Sequence, residues 1–437
     1  MNINKIAKFA TAFLAATLLC SCAHEKVEYV DFSQYLGSSD DSVFQPTKVS
    51  FDDLNSESPS FPLPFDDGTT DPEEILLAGT SPDGETKATY TNFISIFREL
   101  LGSGYANKLT SVTGTYMSID ENGEPVRLSG KVVLPTGQKV RNVVVVSHFT
   151  VGSNAECPSG CFQLEAILAT LGYAMIFPDY LGFGVSSDHV HPYLVADLTA
   201  RNVVDMVRAV KPWMEQTGNA PESDEIFLMG YSQGGAVTMA VQRYMEMKCE
   251  GEFKIRRVFA GAGPYDIAAT YDALIEADKT AIPYCVPMII QGIDVGCHLG
   301  LDYADFFTGS MLQNYDEWLN SKKYTLKQIS VMVGSNKLSD IMPEDGCKKR
   351  SPGTERLYEA MLQNSLSSNW APEAPVYMFH SQDDDTVPFL NSMKAKNLFT
   401  YSNVEYNFGH YGNHQMGAVR FIFTVKTLFE EDQKSDN

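Results

Sequence analysis

Ser232 lies in a sequence pattern that can make a serine side chain nucleophilic. Residues 230–235 read Gly-Tyr-Ser-Gln-Gly-Gly, after the apolar run 225–229 and before a segment with helical spacing at 235–247. A serine at the top of a sharp strand-to-helix turn has strained backbone geometry, and side chains at the flanking glycines would collide with neighbouring turns. The free N–H groups of the helix would face the reacting centre. The pattern therefore predicts Ser232 as a catalytic nucleophile.

A nucleophilic serine needs a base and an acid that orients the base, and both residue types follow downstream. A buried-strand pattern at 374–380 runs into an acidic loop, and two histidines lie near the C-terminus. Alone, an acidic loop of this kind is usually a solvated turn or a weak cation site, but its position after the serine favours catalysis. The candidates are Asp383, Asp384, Asp385, His410 and His414.

The other histidines have less suitable positions for a catalytic base. Four are predicted as loop or surface residues: His24, His189, His191 and His298. His148 and His380 follow strand patterns, so we expect them to serve in packing or hydrogen bonding.

Strand and helix patterns alternate along the chain. A hairpin with an Asn-Gly turn is predicted over 113–134, and residues 142–147 form a β-branched run of the kind that parallel sheets bury on both faces. A helix at 160–171, a strand at 173–178 and a long helix near 195–216 follow. This alternation predicts an α/β fold: a mostly parallel central sheet flanked by helices, with an antiparallel start.

Four motifs in this order resemble one known family. They are FPDYLGFG at 177–184, HPYL at 191–194, GYSQGG at 230–235 and AGAGPY at 260–265. Together they resemble the secretory lipase family of α/β-hydrolases, which is similar to the fungal lipase A type, over roughly residues 90 to 425. The resemblance implies an α/β-hydrolase fold and a carboxylic ester hydrolase with a helical cap over its site.

The resemblance also implies which acid and base are used. The family places its acid in a D-x-x-V-P pattern, which selects Asp384 here, with Asp383 and Asp385 adjacent. It keeps its base in a loop just before the last helix, which favours His414 over His410.

Two backbone N–H groups are expected to form an oxyanion hole. One belongs to Gln233, the residue after the nucleophile. The other is assigned to Thr150, in the loop after the strand 142–147, where many related hydrolases carry His-Gly-x and this chain has Phe149 in the glycine position.

Residues 1–22 have the pattern of a bacterial lipoprotein signal peptide. Lys5 and Lys8 precede a short apolar run that ends in Leu-Cys-Ser-Cys at 19–22. Cys22 is the predicted lipidation site, because Cys20 would put a large leucine at the processing position; simple signal peptidase cleavage is the alternative. We therefore expect an exported protein held to a membrane by its N-terminal lipid.

Composition separates the rest of the 437-residue chain into two parts. Residues 23–88 are acidic and rich in Ser, Pro and Gly, which predicts a partly disordered tether whose aromatic residues can pack on the catalytic domain. Residues 89–437 are the predicted catalytic domain, with a cap insertion at about 265–370. The net charge of −22 argues against nucleic acid as a partner.

The cysteines favour no metal site. Six remain after Cys20 and Cys22, without paired C-x-x-C spacing, and Cys157 and Cys161 are close enough in sequence to close a small loop.

The function predicted from the sequence is hydrolysis of lipid or small-molecule carboxylic esters through a Ser-Asp-His triad and an acyl-enzyme, without metal or organic cofactor. Two alternatives stay open. One is a peptidase or glycan deacylase with the same triad. The other is a catalytically silent binding lipoprotein, which would not be labelled covalently by a fluorophosphonate.

Overall fold

The computed structural model describes residues 29–35, 47–48, 109–161, 163–366, 370–400 and 403–435. The predicted signal peptide 1–22, with Cys20 and Cys22, and most of the predicted tether lie outside these residues. None of the helices that are described is long and apolar enough to cross a membrane.

One mixed sheet forms the centre of the domain. Its order is β1-β3-β4-β6-β5-β7-β8-β9-β10, with β2 paired to β3. The pairs from β6 to β10 are all parallel, whereas β3, β4 and β6 pair antiparallel. This confirms the predicted α/β-hydrolase fold class. The strands are β1 Val30–Asp31, β2 Thr47–Lys48, β3 Leu109–Ile119, β4 Pro125–Pro135, β5 Val143–Ser147, β6 Ala174–Pro178, β7 Glu225–Tyr231, β8 Lys254–Gly261, β9 Val376–Ser381 and β10 Val404–Gly409.

Helices cover both faces of this sheet. The α-helices of the described residues are α1 Ala196–Gln216, α2 Gln233–Lys248, α3 Ile267–Ala277, α4 Cys285–Cys297, α5 Gly309–Tyr315, α6 Leu326–Val333, α7 Glu344–Cys347, α8 Thr354–Asn364, α9 Leu390–Leu398 and α10 His414–Ser435. The helix predicted over 160–171 is instead a 3-10 helix, Leu164–Leu171. The N–H groups of Gly160 and Cys161 donate to the Cys157 carbonyl in the turn that precedes it.

The β-branched run in β5 shows why this strand is apolar throughout. Val143 and Val145 belong to a core cluster that includes residues of α1 and α2. Val144 and Val146 point to the opposite face and join a second cluster with residues of α10. Because successive side chains of a strand alternate between faces, a strand buried on both sides requires apolar residues at every position.

Residues 29–35 pack on the domain although they belong to the predicted tether. β1 pairs in parallel with β3, and Phe32 is fully buried with its ring 5.1 Å from that of Trp213. Arg127 forms an ion pair with Asp31 at 2.7 Å. The aromatic residues of the tether segment therefore supply an attachment to the sheet.

Helices α3 to α8 occupy the chain between β8 and β9, where the cap insertion at about 265–370 was predicted. They pack against segments that follow β5 and β6. A Cβ atom on Gly292 would lie 2.7 Å from the side chain of Tyr193, and one on Gly152 would lie 2.7 Å from the carbonyl oxygen of Tyr324.

Candidate active site

Ser232 occupies the turn between β7 and α2. Its φ of 60° and ψ of −127° lie in a region that residues with a Cβ rarely adopt. Two backbone hydrogen bonds hold the strained turn. The Ser232 N–H donates to the Gly261 carbonyl at 2.9 Å, and the Ser232 carbonyl accepts the N–H of Gly235 at 2.9 Å. The serine side chain is thus presented at the N-terminus of a 16-residue helix.

The glycines around Ser232 are required by close backbone approach. A Cβ atom on Gly230 would overlap the carbonyl oxygen of Gly234, and one on Gly234 would overlap the carbonyl oxygen of Ser147. Ser147 is the last residue of β5. The absence of side chains therefore brings the loop after β5 directly against the start of α2.

Asp384 and His414 form a buried hydrogen-bonded pair. The Oδ2 atom of Asp384 lies 2.6 Å from Nδ1 of His414, and the aspartate side chain is fully buried. The other carboxylate oxygen accepts the N–H groups of Thr386 and Val387 at 2.9 and 2.8 Å. His380 is also close, with Nε2 at 3.3 Å from Oδ2.

These contacts keep Asp384 ionised. Burial by itself raises the pKa of its carboxyl, but the charge of His414 and hydrogen bonds from His380 and His414 outweigh burial and hold the pKa well below its usual range. A carboxylate facing Nδ1 makes that nitrogen the protonated one. The Nε2 atom of neutral His414 is then left as a proton acceptor.

Tyr231 places His414 beside the serine turn. Its hydroxyl donates to the His414 carbonyl at 2.8 Å, and the two ring centroids are 4.9 Å apart. Gly417 permits this packing, since a Cβ there would lie 2.5 Å from the Tyr231 hydroxyl. Within the described ranges no hydrogen bond joins the Ser232 hydroxyl to His414. Such bonds are commonly long before substrate binds.

The alternative histidine has a different setting. His410 Nδ1 contacts Asp383 Oδ1 at 2.8 Å, but its side chain is 75% exposed. Asp385 accepts the backbone N–H of His414 at 3.2 Å. The three adjacent aspartates therefore contact three different groups on two residues: the His410 ring, the His414 ring and the His414 backbone N–H.

The two predicted oxyanion donors are both buried. Gln233 begins α2, and Thr150 lies in the loop that the glycine contacts bring against that helix. In the part of the chain that is described, neither backbone N–H donates to a protein acceptor. The Thr150 hydroxyl shares a hydrogen bond of 2.8 Å with Tyr193.

His191 lies in a loop, as predicted, but it is not a surface residue. Its side chain is buried, with Nδ1 at 2.8 Å from the Leu181 carbonyl and Nε2 at 2.8 Å from the Gln233 amide nitrogen. Burial and the charge of Lys322 lower the pKa of His191 to about 3, so the ring is neutral and accepts from Gln233. The position of His191 in the HPYL motif was the one sequence signal that it has a role near the site. Its contact with the Gln233 side chain joins residues 42 positions apart and could not be predicted from a local pattern.

The described residues contain one group that could offer three metal ligands: Asp120, Glu121 and His189. Asp120 already accepts the N–H groups of Asn122 and Glu124 in the hairpin turn.

The expected loop closure by Cys157 and Cys161 is not formed, because Cys157 is a free buried thiol.

A mostly parallel sheet, a serine on a strained strand-to-helix turn and a buried Asp–His pair define the α/β-hydrolase class. The chain belongs to the secretory lipase family, whose model matches residues 160–420. The resemblance found in the sequence motifs is thereby confirmed.

The chain is similar to a curated lipase and to solved hydrolase structures at 16 to 23% identity. A secreted triacylglycerol lipase of Malassezia furfur is 23% identical over 256 residues, which span 56% of this chain and 61% of that protein. The rice cell wall degrading esterase LipA from Xanthomonas oryzae is 22% identical with a TM-score of 0.65, over 77% of this chain and 92% of that one. Candida antarctica lipase A is 16% identical with a TM-score of 0.56, over 75% and 79%.

Proposed function

We propose that this chain is a serine hydrolase that cleaves carboxylic esters. The observation that carries the proposal is the buried Asp384–His414 pair, packed through Tyr231 beside the strained Ser232 turn. The names of the relatives, a triacylglycerol lipase and an esterase, support ester over peptide substrates.

The reaction follows from these positions. Ser232 Oγ attacks the ester carbonyl while His414 Nε2 takes its proton, and Asp384 stabilises the resulting imidazolium. The N–H groups of Gln233 and Thr150 donate to the oxyanion that forms. Collapse of this intermediate passes the proton to the leaving alcohol and leaves an acyl group on Ser232. Water then releases the acid by the same steps.

The direct test is Ser232→Ala, measured with p-nitrophenyl esters of increasing chain length and with a fluorophosphonate probe. We expect turnover to fall by several orders of magnitude and labelling to vanish, with the fold intact by circular dichroism. Ser223→Ala is the matched control, because Ser223 lies in the turn before β7 and its hydroxyl accepts only the Glu225 N–H at 3.2 Å.

Retention of a tenth of the wild-type turnover in Ser232→Ala would overturn the assignment. A labelled wild type that cleaves peptides or acylated glycans but no simple ester would favour the peptidase or deacylase alternative. A wild type that binds esters without labelling would favour the silent lipoprotein.

We also propose export and lipid anchoring through Cys22, supported by the pattern of residues 1–22 and by a relative that is named as secreted. Cys22→Ser should move the protein from the membrane to the soluble fraction and abolish incorporation of radiolabelled fatty acid. Incorporation that persists in Cys22→Ser would show that another residue is acylated.

A further inference from the structure

Glu156 is a buried carboxylate that the proposed reaction does not use. It lies in the loop after β5, with 8% of its surface exposed. Its Oε2 atom accepts the N–H of Gly152 at 2.9 Å and both the N–H and the hydroxyl of Ser153 at 3.2 Å. One side chain therefore fixes the backbone two residues after Thr150.

The same carboxylate reaches the helices between β8 and β9. Both of its oxygens lie 3.3 Å from the N–H of Leu326, the first residue of α6. The backbone of the loop after β5 also packs directly on the backbone at the start of α6. A Cβ atom on Gly152 would lie only 2.7 Å from the Tyr324 carbonyl oxygen and 3.0 Å from the Leu326 nitrogen. Glu156 thus bonds the loop after β5 to α6 at a point where no side chain fits between them.

Backbone and hydroxyl dipoles, rather than a cation, surround this carboxylate. Among the described residues no lysine, arginine or histidine forms an ion pair with Glu156. Burial raises the pKa of its carboxyl to about 7 against the effect of the four donors. The N-terminus of α6 adds a favourable dipole. A side chain bound in this way responds to the position of every backbone segment that donates to it.

We propose that Glu156 is a positioning residue that couples the seating of α6 to the orientation of the Thr150 N–H. This inference depends on the proposed function, in which that N–H stabilises the oxyanion. Oxyanion donors act mainly on the transition state, so a displaced Thr150 peptide lowers kcat with little change in KM. A role in packing alone would lower stability and leave the kcat of the folded enzyme unchanged.

Glu156→Gln tests whether Glu156 orients the Thr150 N–H. The amide has nearly the same shape but presents an NH₂ group to backbone N–H donors. Glu165→Gln is the matched control, because Glu165 is also buried with a pKa raised by burial to about 7 and has no hydrogen bond to the 150–153 loop. With p-nitrophenyl butyrate we expect Glu156→Gln to lower kcat about thirtyfold with KM within about threefold, and Glu165→Gln to leave kcat unchanged.

Replacement of the Leu326 amide by an ester tests the link between Glu156 and α6. Incorporating the α-hydroxy analogue of leucine at position 326 removes the one N–H that α6 donates to Glu156 and adds no atom to the tight contact with Gly152. Protein with leucine incorporated at the same codon serves as its control. We expect the ester to lower kcat about tenfold relative to this control. The ester combined with Glu156→Gln should be no slower than Glu156→Gln alone.

The outcomes separate this inference from the proposed function. An active, fluorophosphonate-labelled wild type with unchanged kcat in folded Glu156→Gln would overturn the positioning role and leave the hydrolase assignment standing. Additive losses in the combined variant would overturn the coupling to α6. If Glu156→Gln does not fold, the ratio of kcat between the Leu326 ester protein and its leucine control decides, and a ratio of one overturns the inference. An unlabelled, inactive wild type would instead refute the proposed function.

Discussion

Two His–Asp pairs lie side by side at the carboxyl ends of β9 and β10, and they differ in burial far more than in geometry. His414 contacts Asp384 at 2.6 Å, and His410 contacts Asp383 at 2.8 Å. Asp384 is fully buried and His414 is 12% exposed, whereas Asp383 and His410 are 45% and 75% exposed. The same two residue types at nearly the same distance can therefore form a buried pair, suited to the proposed catalysis, or an exposed surface pair.

Solvent accounts for the difference. Water screens the exposed pair, so its interaction contributes little and its geometry is weakly enforced. The buried pair is held by the N–H groups of Thr386 and Val387 and by His380, which together set both the charge and the direction of the Asp384 carboxylate.

The largest expected effect separates the two histidines. His414→Ala should lower kcat/KM by at least about ten-thousandfold. The other imidazole beside Asp384, that of His380, cannot replace it, because both of its ring nitrogens already contact Ser392 and the Val387 carbonyl. His410→Ala should keep turnover near the wild-type value. Both are measured with p-nitrophenyl esters. The reverse pattern would transfer the role of base to His410.

The second largest expected effect is the difference in kcat between variants of Asp384 and Asp383. Asp384→Asn removes the charge that stabilises the His414 imidazolium and favours the wrong tautomer, so kcat should fall about a thousandfold. Asp383→Asn is its isosteric neighbour and should change kcat less than about threefold. Equal losses in the two variants, with both folded, would mean that burial does not distinguish the pairs.

The acid stability of the protein should depend on Asp384. Its pKa is lower in the folded state than in the unfolded chain, where it is about 3.9. Its stabilising contribution is therefore complete above about pH 5 and is lost as pH falls through the folded pKa. In urea unfolding, the drop in free energy of unfolding between pH 7 and pH 3 should be about 1 kcal/mol smaller in Asp384→Asn than in the wild type. An unchanged drop would contradict the lowered pKa.

The smallest effect concerns the exposed pair. A double-mutant cycle of His410→Ala and Asp383→Asn, measured by urea unfolding at pH 6, should give a coupling below about 0.5 kcal/mol that disappears in 0.5 M NaCl. A coupling above about 1.5 kcal/mol that resists salt would show that this pair is not a screened surface interaction.

Local sequence patterns were sufficient for the elements that carry the site. The GYSQGG motif with its apolar and helical flanks predicted the β7–α2 turn, and the run 142–147 predicted β5. Both signals depend on neighbouring residues: small residues at a crowded turn, and apolar residues on both faces of a buried strand. The start of the helix predicted over 160–171 was wrong by four residues, since residues 160 and 161 belong to a turn closed on the Cys157 carbonyl.

The sequence by itself determined the family, the fold class and a short set of candidates: Ser232, three adjacent aspartates and two histidines. Tertiary structure alone decided which aspartate is shielded from water, that His191 is buried against Gln233, and that Glu156 bonds both the loop after β5 and α6. These contacts join residues far apart along the chain. These contacts are strong because water is excluded from them. A residue pattern can predict that exclusion only when every partner lies on the same strand, helix or turn.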